Sequence, residues 1–410
     1  MGGQPPFVGA NPPVAGGRGN WSPIFDEADK EYQEIVDVLK ETNAAFDFVV
    51  DPGRDRNTPI FDATLGSGLA GVALFRSQFN GILPTSAISC EPLALINQLI
   101  LRAPELESPS LFWGLAGVAW TVEVLTKRCT LAIDDPNESF DVDLLDLLHA
   151  IDDSAGCELC YGLAGLLTYC SGRPQTATVV EAVSRILAML RDSANKDRSG
   201  YLWQSKALPR PNQHLGMAHG SAGVLAALAM THRTGTCRVE VESLLCHGIG
   251  RLRKEHSLEH RKYGPVFTWC WGDLGLALGL IAAARATGDS ASERFAIELA
   301  RKGLLHDHPF RDASICHGSS GASHMLNRLF QRTKDEAFRV AARKFATVTL
   351  RSRQEGQGIA GYLFATDKEG DIEWLPNAGL VTGLAGVGLA LGSAISDKEP
   401  YWDQFLGIAQ

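Results

Sequence analysis

The chain lacks the features of a secreted protein and of a polyanion-binding protein. Its 410 residues carry 38 Lys and Arg against 47 Asp and Glu, a formal charge of −9, so nothing favours binding to nucleic acid. Nine cysteines, an odd number scattered over a long chain, do not make a disulfide framework. The first twenty residues are rich in Gly and Pro and have no apolar stretch, unlike a signal peptide. We therefore expect a cytoplasmic protein with reduced thiols.

One uncharged segment, from Pro376 to Ser396, is long enough to suggest a membrane-spanning helix. It contains five glycines, however, and it repeats a motif found elsewhere in the chain. A buried core helix explains it better, so we expect no membrane span.

The main feature of the sequence is an internal repeat. The pattern G-x-x-G, followed by a run of small and aliphatic residues, occurs seven times at steps of 46, 48, 58, 52, 46 and 65 residues. Each run predicts a mostly buried helix, and glycine at its start would permit unusual φ values and close backbone approach. The first glycines of the seven motifs are Gly68, Gly114, Gly162, Gly220, Gly272, Gly318 and Gly383.

A second, amphipathic helix is predicted between successive motifs, for example over Ala291 to Leu305 and over Phe25 to Ala44. Seven such hairpins predict an all-α fold, an α/α toroid with apolar helices inside, amphipathic helices outside and the G-x-x-G loops at one end. The last repeat is as apolar as the middle ones, which favours closure over an open solenoid with polar caps.

The domain organisation follows from this repeat. We expect residues 1–22 to be a disordered Gly/Pro-rich tail and residues 23–410 to form a single toroid domain. Asp51 to Thr58 is a turn-rich link into the first repeat.

Three neighbouring repeats carry reactive side chains just before the motif. Cys270 and Cys316 both lie two residues before a first glycine, and His219 and His317 both lie one residue before. Adjacent repeats would bring these residues to one mouth of the toroid. Two Cys and one His are a common ligand set for catalytic Zn²⁺ with an open fourth position. The alternative is ordinary packing of Cys and His inside a helical core.

Other Cys and basic segments have simpler explanations. Cys157 and Cys160 have the CxxC spacing of a redox motif or of one half of a four-cysteine zinc site. No second CxxC exists in the sequence, so core packing is expected. The Cys-His-Gly triplet that begins at Cys246 falls outside the repeat register and is assigned to an outer helix. The basic segment from Arg251 to Lys262 is interpreted as a solvated helix face, with binding of an acidic or phosphorylated peptide as the alternative.

Three motifs carry a family resemblance: AHGSAG from Ala218, WCWGDLG from Trp269 and ICHGSSG from Ile315. Over roughly residues 25–408 the chain resembles the lanthionine synthetase C-like family, and it looks most like free-standing bacterial lanthipeptide cyclases. These enzymes join a peptide cysteine to dehydroalanine or dehydrobutyrine and so close a thioether ring.

The resemblance implies one zinc ion per chain, held at the positions of Cys270, Cys316 and His317. It also implies that His219 is the catalytic histidine. The implied partners are a dehydrated precursor peptide and, beyond it, a separate dehydratase and a transporter.

Two positions depart from the best-known cyclases. Glu158 stands where several have an aspartate, and the residues from Pro265 to Thr268 stand where several have an arginine. Glu158, with Leu159 and Tyr161 after it, also resembles eukaryotic relatives that look like glutathione-binding proteins or modifiers of phosphorylated proteins.

The chemistry of thioether formation assigns further roles. A general acid must protonate the α-carbon after the thiolate attacks, and His219 suits this because a histidine exchanges protons near neutral pH. Glu158 would orient His219 or favour its protonated, charged form. His214 and Trp271 are candidate rim residues, with a structural role as the alternative.

Two other functions remain open at this point. One is a toroidal protein that uses its zinc to bind glutathione or a peptide thiol without catalysis. The other is a toroidal prenyltransferase or glycoside hydrolase. A hydrolase needs paired carboxylates, whereas the loops here offer mainly Asp273.

Overall fold

The computed structural model describes residues 21–50, 62–83, 92–128, 134–151, 155–205, 215–263, 266–368 and 371–409. Within these ranges the chain forms fourteen α-helices, which alternate between an outer and an inner ring. The outer helices are α1 (Lys30–Val50), α3 (Pro92–Arg102), α5 (Glu138–Ala150), α7 (Ala177–Ser193), α9 (Arg238–Tyr263), α11 (Ser290–Gly303) and α13 (Glu336–Arg351). The inner helices are α2 (Leu69–Ile82), α4 (Leu115–Arg128), α6 (Leu163–Gly172), α8 (Ser221–Thr234), α10 (Asp273–Thr287), α12 (Ser319–Thr333) and α14 (Leu384–Ile395).

The inner helices form a closed circle. Each contacts the next inner helix along the chain, and α14 returns to contact α2. Every inner helix begins directly after the first glycine of one G-x-x-G motif. The predicted α/α toroid of seven helical hairpins is therefore confirmed.

A ring of backbone hydrogen bonds also closes the loops at one end of the toroid. In each repeat, the residue two positions before the first glycine donates its N–H to the carbonyl of the equivalent residue in a neighbouring repeat. We call these seven residues the loop ring. Each member donates its N–H to the carbonyl oxygen of the next, and Val381 donates to Gly66. The members, each with the N···O distance to the next, are Gly66 (2.7 Å), Phe112 (3.2 Å), Cys160 (3.3 Å), Ala218 (3.0 Å), Cys270 (3.3 Å), Cys316 (3.0 Å) and Val381 (2.9 Å).

The glycines of the motif serve close packing and not unusual backbone angles. None of the seven first glycines has a positive φ, so that part of the sequence prediction is wrong. The prediction of close approach is confirmed at the second glycine of every motif. There a Cβ would lie within 3.0 Å of the carbonyl oxygen six residues earlier, as at Gly117 against Leu111.

Substituting Gly117 with alanine should destabilise the toroid by about 1–3 kcal/mol, because the added methyl group overpacks against the Leu111 carbonyl. The matched control is Gly81→Ala, also in an inner helix, where an added Cβ meets nothing within 4 Å. That change should leave stability unchanged or raise it by up to about 1 kcal/mol. Denaturant unfolding of both variants tests the prediction, and equal free energies of unfolding would contradict it.

The carboxy-terminal segment, residues 397–409, packs against an inner helix and the loops that precede the inner helices. The ring of Phe405 lies 5.4 Å from that of Phe112 and 5.2 Å from that of Trp120 on α4. The indole N–H of Trp269 donates to the carbonyl oxygen of Leu406 at 2.9 Å. The segment thus packs against the loop ring at Phe112, a contact that the sequence did not predict.

The first outer helix and two short β-hairpins differ from what the sequence predicts. The outer helix expected over Phe25 to Ala44 runs instead over Lys30–Val50, because Ile24 and Phe25 are buried and their backbone N–H groups bond to the Ala394 carbonyl. Two antiparallel hairpins were not predicted. They pair β1 (Asn195–Asp197) with β2 (Gly200–Leu202), and β3 (Phe364–Lys368) with β4 (Asp371–Leu375).

The candidate membrane span is the short inner helix α14, which has 12 residues. No helix among the described residues is long and apolar enough to cross a membrane. The expected tail lies outside the described residues except for Trp21 and Ser22. Of these, Trp21 is buried and Ser22 bonds to Gln331 on α12. The link from Asp51 to Thr58 lies wholly outside them.

Candidate metal centre

Two adjacent members of the loop ring bring the predicted metal ligands together. The Cys270 N–H donates to the Cys316 carbonyl at 3.3 Å, which sets the two cysteines side by side. One ligand atom from each of Cys270, Cys316 and His317 lies within 4.8 Å of the other two. Cys270 is buried, whereas Cys316 and His317 are partly exposed, so the cluster faces the mouth.

A buried carboxylate, that of Asp312, lies beside the imidazole ring of His317. The Asp312 Oδ2 atom lies 3.5 Å from His317 Nε2, which is buried and has no hydrogen-bond partner among the described residues. Asp312 is fixed by the backbone N–H groups of Ser314 (2.8 Å) and Ala365 (3.2 Å). A carboxylate beside the imidazole is the arrangement that orients metal-ligating histidines. The imidazole of His317, with this carboxylate beside it, and the two thiols therefore fit a metal ion.

The contacts within the cluster favour the thiolate form of Cys270. A hydrogen bond from the Cys316 thiol lowers the pKa of Cys270 to about 5 despite its burial, and His317 adds to this effect. Because Cys316 holds the shared proton, its own pKa is raised. Burial opposes the charged form of His317, but Asp312 and Cys270 outweigh it and raise the pKa of His317 to about 9. Cys270 is thus poised as a thiolate, the form that binds metals.

The second predicted pair lies on the neighbouring loops. His219 Nδ1 lies 2.8 Å from a carboxylate oxygen of Glu158. Glu158 is buried and also accepts the backbone N–H groups of Cys160 (3.0 Å) and Tyr161 (2.7 Å), so its position is fixed. A carboxylate can only accept, so Nδ1 is the donor, and Nε2 is left for chemistry at the mouth. Because Ala218 bonds to the Cys270 carbonyl, the loop that carries His219 adjoins the metal cluster.

An aromatic wall extends from His219, and the sequence analysis did not assign it a role. The ring of Tyr161 stacks on that of Trp113 at 4.7 Å and faces that of His219 at 6.0 Å. All three residues directly precede the first glycine of their motifs. The same alignment that selected His219 and His317 could have identified this wall.

The remaining candidates occupy separate positions. Trp271 is 39% exposed, as expected of a rim residue, whereas His214 lies outside the described residues. Asp273 is buried and bonds to His256 (3.0 Å) and to the Val266 N–H (3.0 Å), which makes it structural. Val266 lies in the segment where an arginine was expected.

The simpler explanations for the other Cys and basic residues agree with the structure in large part. The triplet that begins at Cys246 lies on outer helix α9, as does the segment from Arg251 to Lys262. Cys157 and Cys160 are buried, as expected for core packing. Cys160, however, is also a member of the loop ring, and its sulfur lies close to Glu158 and His219.

The fold and the cluster together define a toroidal protein with a Cys₂His centre at one mouth. A family model described as "Lanthionine synthetase C-like protein" matches residues 59–406, and the chain belongs to this family. This finding confirms the resemblance carried by the three sequence motifs.

A solved structure described as "Nisin cyclase" supports the fold. It superposes with a TM-score of 0.69 over 92% of this chain and 98% of that chain, at 18% identity. A second, "Crystal structure of sugar epimerase from ruminal bacterium", covers 88% of this chain and 97% of that chain at 11% identity. Its TM-score is 0.36.

Proposed function

We propose that this protein is a zinc-dependent lanthipeptide cyclase, a carbon–sulfur bond-forming enzyme of the lyase class. It would add peptide Cys thiolates to dehydroalanine or dehydrobutyrine and so form lanthionine and methyllanthionine rings. The main support for this proposal is the position of the Cys₂His cluster, which lies on loops next to the pair formed by the Glu158 carboxylate and His219. Membership of the lanthionine synthetase C-like family supports the same conclusion.

The first requirement of the reaction is a thiolate at neutral pH. Cys270, Cys316 and His317 would hold one Zn²⁺ per chain, and the three protein ligands leave a fourth position for a substrate. Bound zinc would supply the positive charge that keeps a peptide thiol deprotonated and in place. Asp312 would keep the His317 ring in its ligating orientation.

The second requirement is a proton for the α-carbon. When the thiolate forms its bond to the β-carbon, the electron pair of the C=C bond moves to the α-carbon and the adjacent carbonyl as an enolate. His219 would transfer a proton from Nε2 to the α-carbon, and Glu158 would stabilise the protonated imidazole through its bond to Nδ1. A histidine suits this role because it exchanges protons near neutral pH.

The substrate would be a dehydrated precursor peptide, and we propose a separate dehydratase as its source and a transporter for the product. The half-exposed wall of Trp113 and Tyr161 beside His219 offers an apolar surface for the peptide near the reacting atoms.

Counting free thiols tests the proposal, because ring closure is an isomerisation and leaves the peptide mass unchanged. Each ring consumes one thiol and one alkene. We expect a dehydrated precursor to lose alkylatable thiols faster with the protein than without it, and to give a single stereochemical product. Equal rates with and without the protein, with the unreacted peptide retained on it, would instead support a thiol-binding protein.

Asp312 provides a prediction about the metal alone. Asp312→Asn removes the charge beside His317 and should weaken zinc binding about 10–100-fold. Asp367→Asn is the matched control, because that exposed carboxylate only pairs with Arg311 on the surface. Competition with a chromophoric chelator measures both affinities. An unchanged affinity in Asp312→Asn would show that Asp312 does not support the metal ligand.

A further inference from the structure

A third cysteine shares the structural position of the two candidate zinc ligands. Cys160 belongs to the loop ring with Cys270 and Cys316, two residues before the first glycine of its own motif. In the ring, only Ala218 separates Cys160 from Cys270, and its side chain is a single methyl group. Cys160 is 1% exposed, and its backbone lies in the same loop ring as the first cluster.

Cys160 completes a second group of metal-ligating atoms. A carboxylate oxygen of Glu158, the sulfur of Cys160 and a ring nitrogen of His219 all lie within 4.8 Å of one another. Zinc bound at about 2.0–2.3 Å from each donor needs donors roughly 3–4 Å apart, so small side-chain movements suffice. Glu158 is already held rigidly by two backbone N–H groups.

The donor chemistry selects the kind of metal. A carboxylate and a thiolate would neutralise a divalent cation, and thiolate with imidazole favours zinc over magnesium or calcium. His219 has a side chain that is 21% exposed, which gives an ion access from the mouth. The ion must compete with the 2.8 Å hydrogen bond between His219 and Glu158, so binding should be weaker than at the first cluster.

We infer that Glu158, Cys160 and His219 form a second, lower-affinity Zn²⁺ site beside the Cys₂His centre. An ion there occupies His219 and separates it from Glu158. If the proposed cyclase function holds, zinc in excess of one equivalent keeps the imidazole from carrying the second proton that it would donate, and so inhibits ring closure. The metal-binding part of this inference does not depend on the cyclase activity.

Metal titration of the full-length protein tests the inference directly. Starting from protein with one equivalent of zinc, Co²⁺ is added and monitored by absorption. The wild type should bind a second equivalent and gain a thiolate-to-cobalt charge-transfer band. Saturation at one equivalent, or a second equivalent without this band, would overturn the inference, and this measurement needs no variant.

A pair of matched variants identifies the thiol. In Cys160→Ser the second equivalent should bind at least about ten-fold more weakly while the first is retained. Cys157→Ser, which alters the other buried cysteine of the same CxxC segment, should bind both. Unchanged second-site affinity in Cys160→Ser would reject the assignment.

Failure of the proposed function remains distinguishable from failure of this inference. Cys316→Ala tests the first cluster and should lose the tight equivalent but keep the weak one. In the thiol-counting assay, excess zinc should slow the wild type and a weak chelator should restore its rate. If the protein binds two equivalents of zinc but shows no ring closure at any zinc concentration, the cyclase function is refuted and the second metal site still stands.

Discussion

Replacing His219 with alanine should slow ring closure about 10²–10⁴-fold and leave one tightly bound zinc per chain. The imidazole would supply the proton for the α-carbon, and its bond to Glu158 fixes which nitrogen faces the mouth. Because His219 lies outside the Cys270–Cys316–His317 cluster, the tight metal should survive its removal. Rates come from counting thiols on a dehydrated precursor at one equivalent of zinc, and metal content from elemental analysis.

The control for this substitution is His247→Ala, which removes an exposed imidazole on outer helix α9. It should leave both the rate and the metal content unchanged. Loss of the tight zinc in His219→Ala would make His219 a ligand of the first cluster. Normal cyclisation would show that the proton comes from water or from His214.

Removal of either cysteine of the cluster should have the largest effect of all. Cys270→Ala and Cys316→Ala each leave two of the three ligands, so the tightly bound zinc should be largely lost. Ring closure should then fall to the uncatalysed rate, because the metal that would hold the peptide thiol as a thiolate is lost. Metal analysis and the thiol-counting assay measure the two effects separately.

Cys246→Ala is the matched control, since that exposed thiol begins the other Cys-His-Gly triplet of the chain and lies on α9. It should retain both metal and activity. Circular dichroism must show intact helices in all three variants. Full zinc occupancy in both cluster variants would reject the ligand assignment, and ring closure equal to wild type in folded Cys316→Ala would reject the enzyme.

The repeat explains why so much of the fold could be predicted from the sequence. In a closed toroid, residues at the same position in successive motifs become neighbours. The shared positions of Cys270 and Cys316 therefore carried three-dimensional information. The glycines did as well, although their physical role is close contact with a carbonyl oxygen and not a positive φ. An aromatic residue before the first glycine, as at Trp113, was an equally regular signal that the analysis left unused.

The sequence by itself determined the number of repeats, the inner and outer helices and the end of the toroid at which the Cys and His residues meet. These features follow from periodicity, which is local and recurs seven times. Only the tertiary structure decided which side chains touch across different loops. Asp312 beside His317, Cys160 close to Glu158 and His219, and Leu406 bonded to Trp269 are each contacts that occur once in the molecule. Such contacts depend on side-chain direction and on the path of one segment, and no repeating pattern records them.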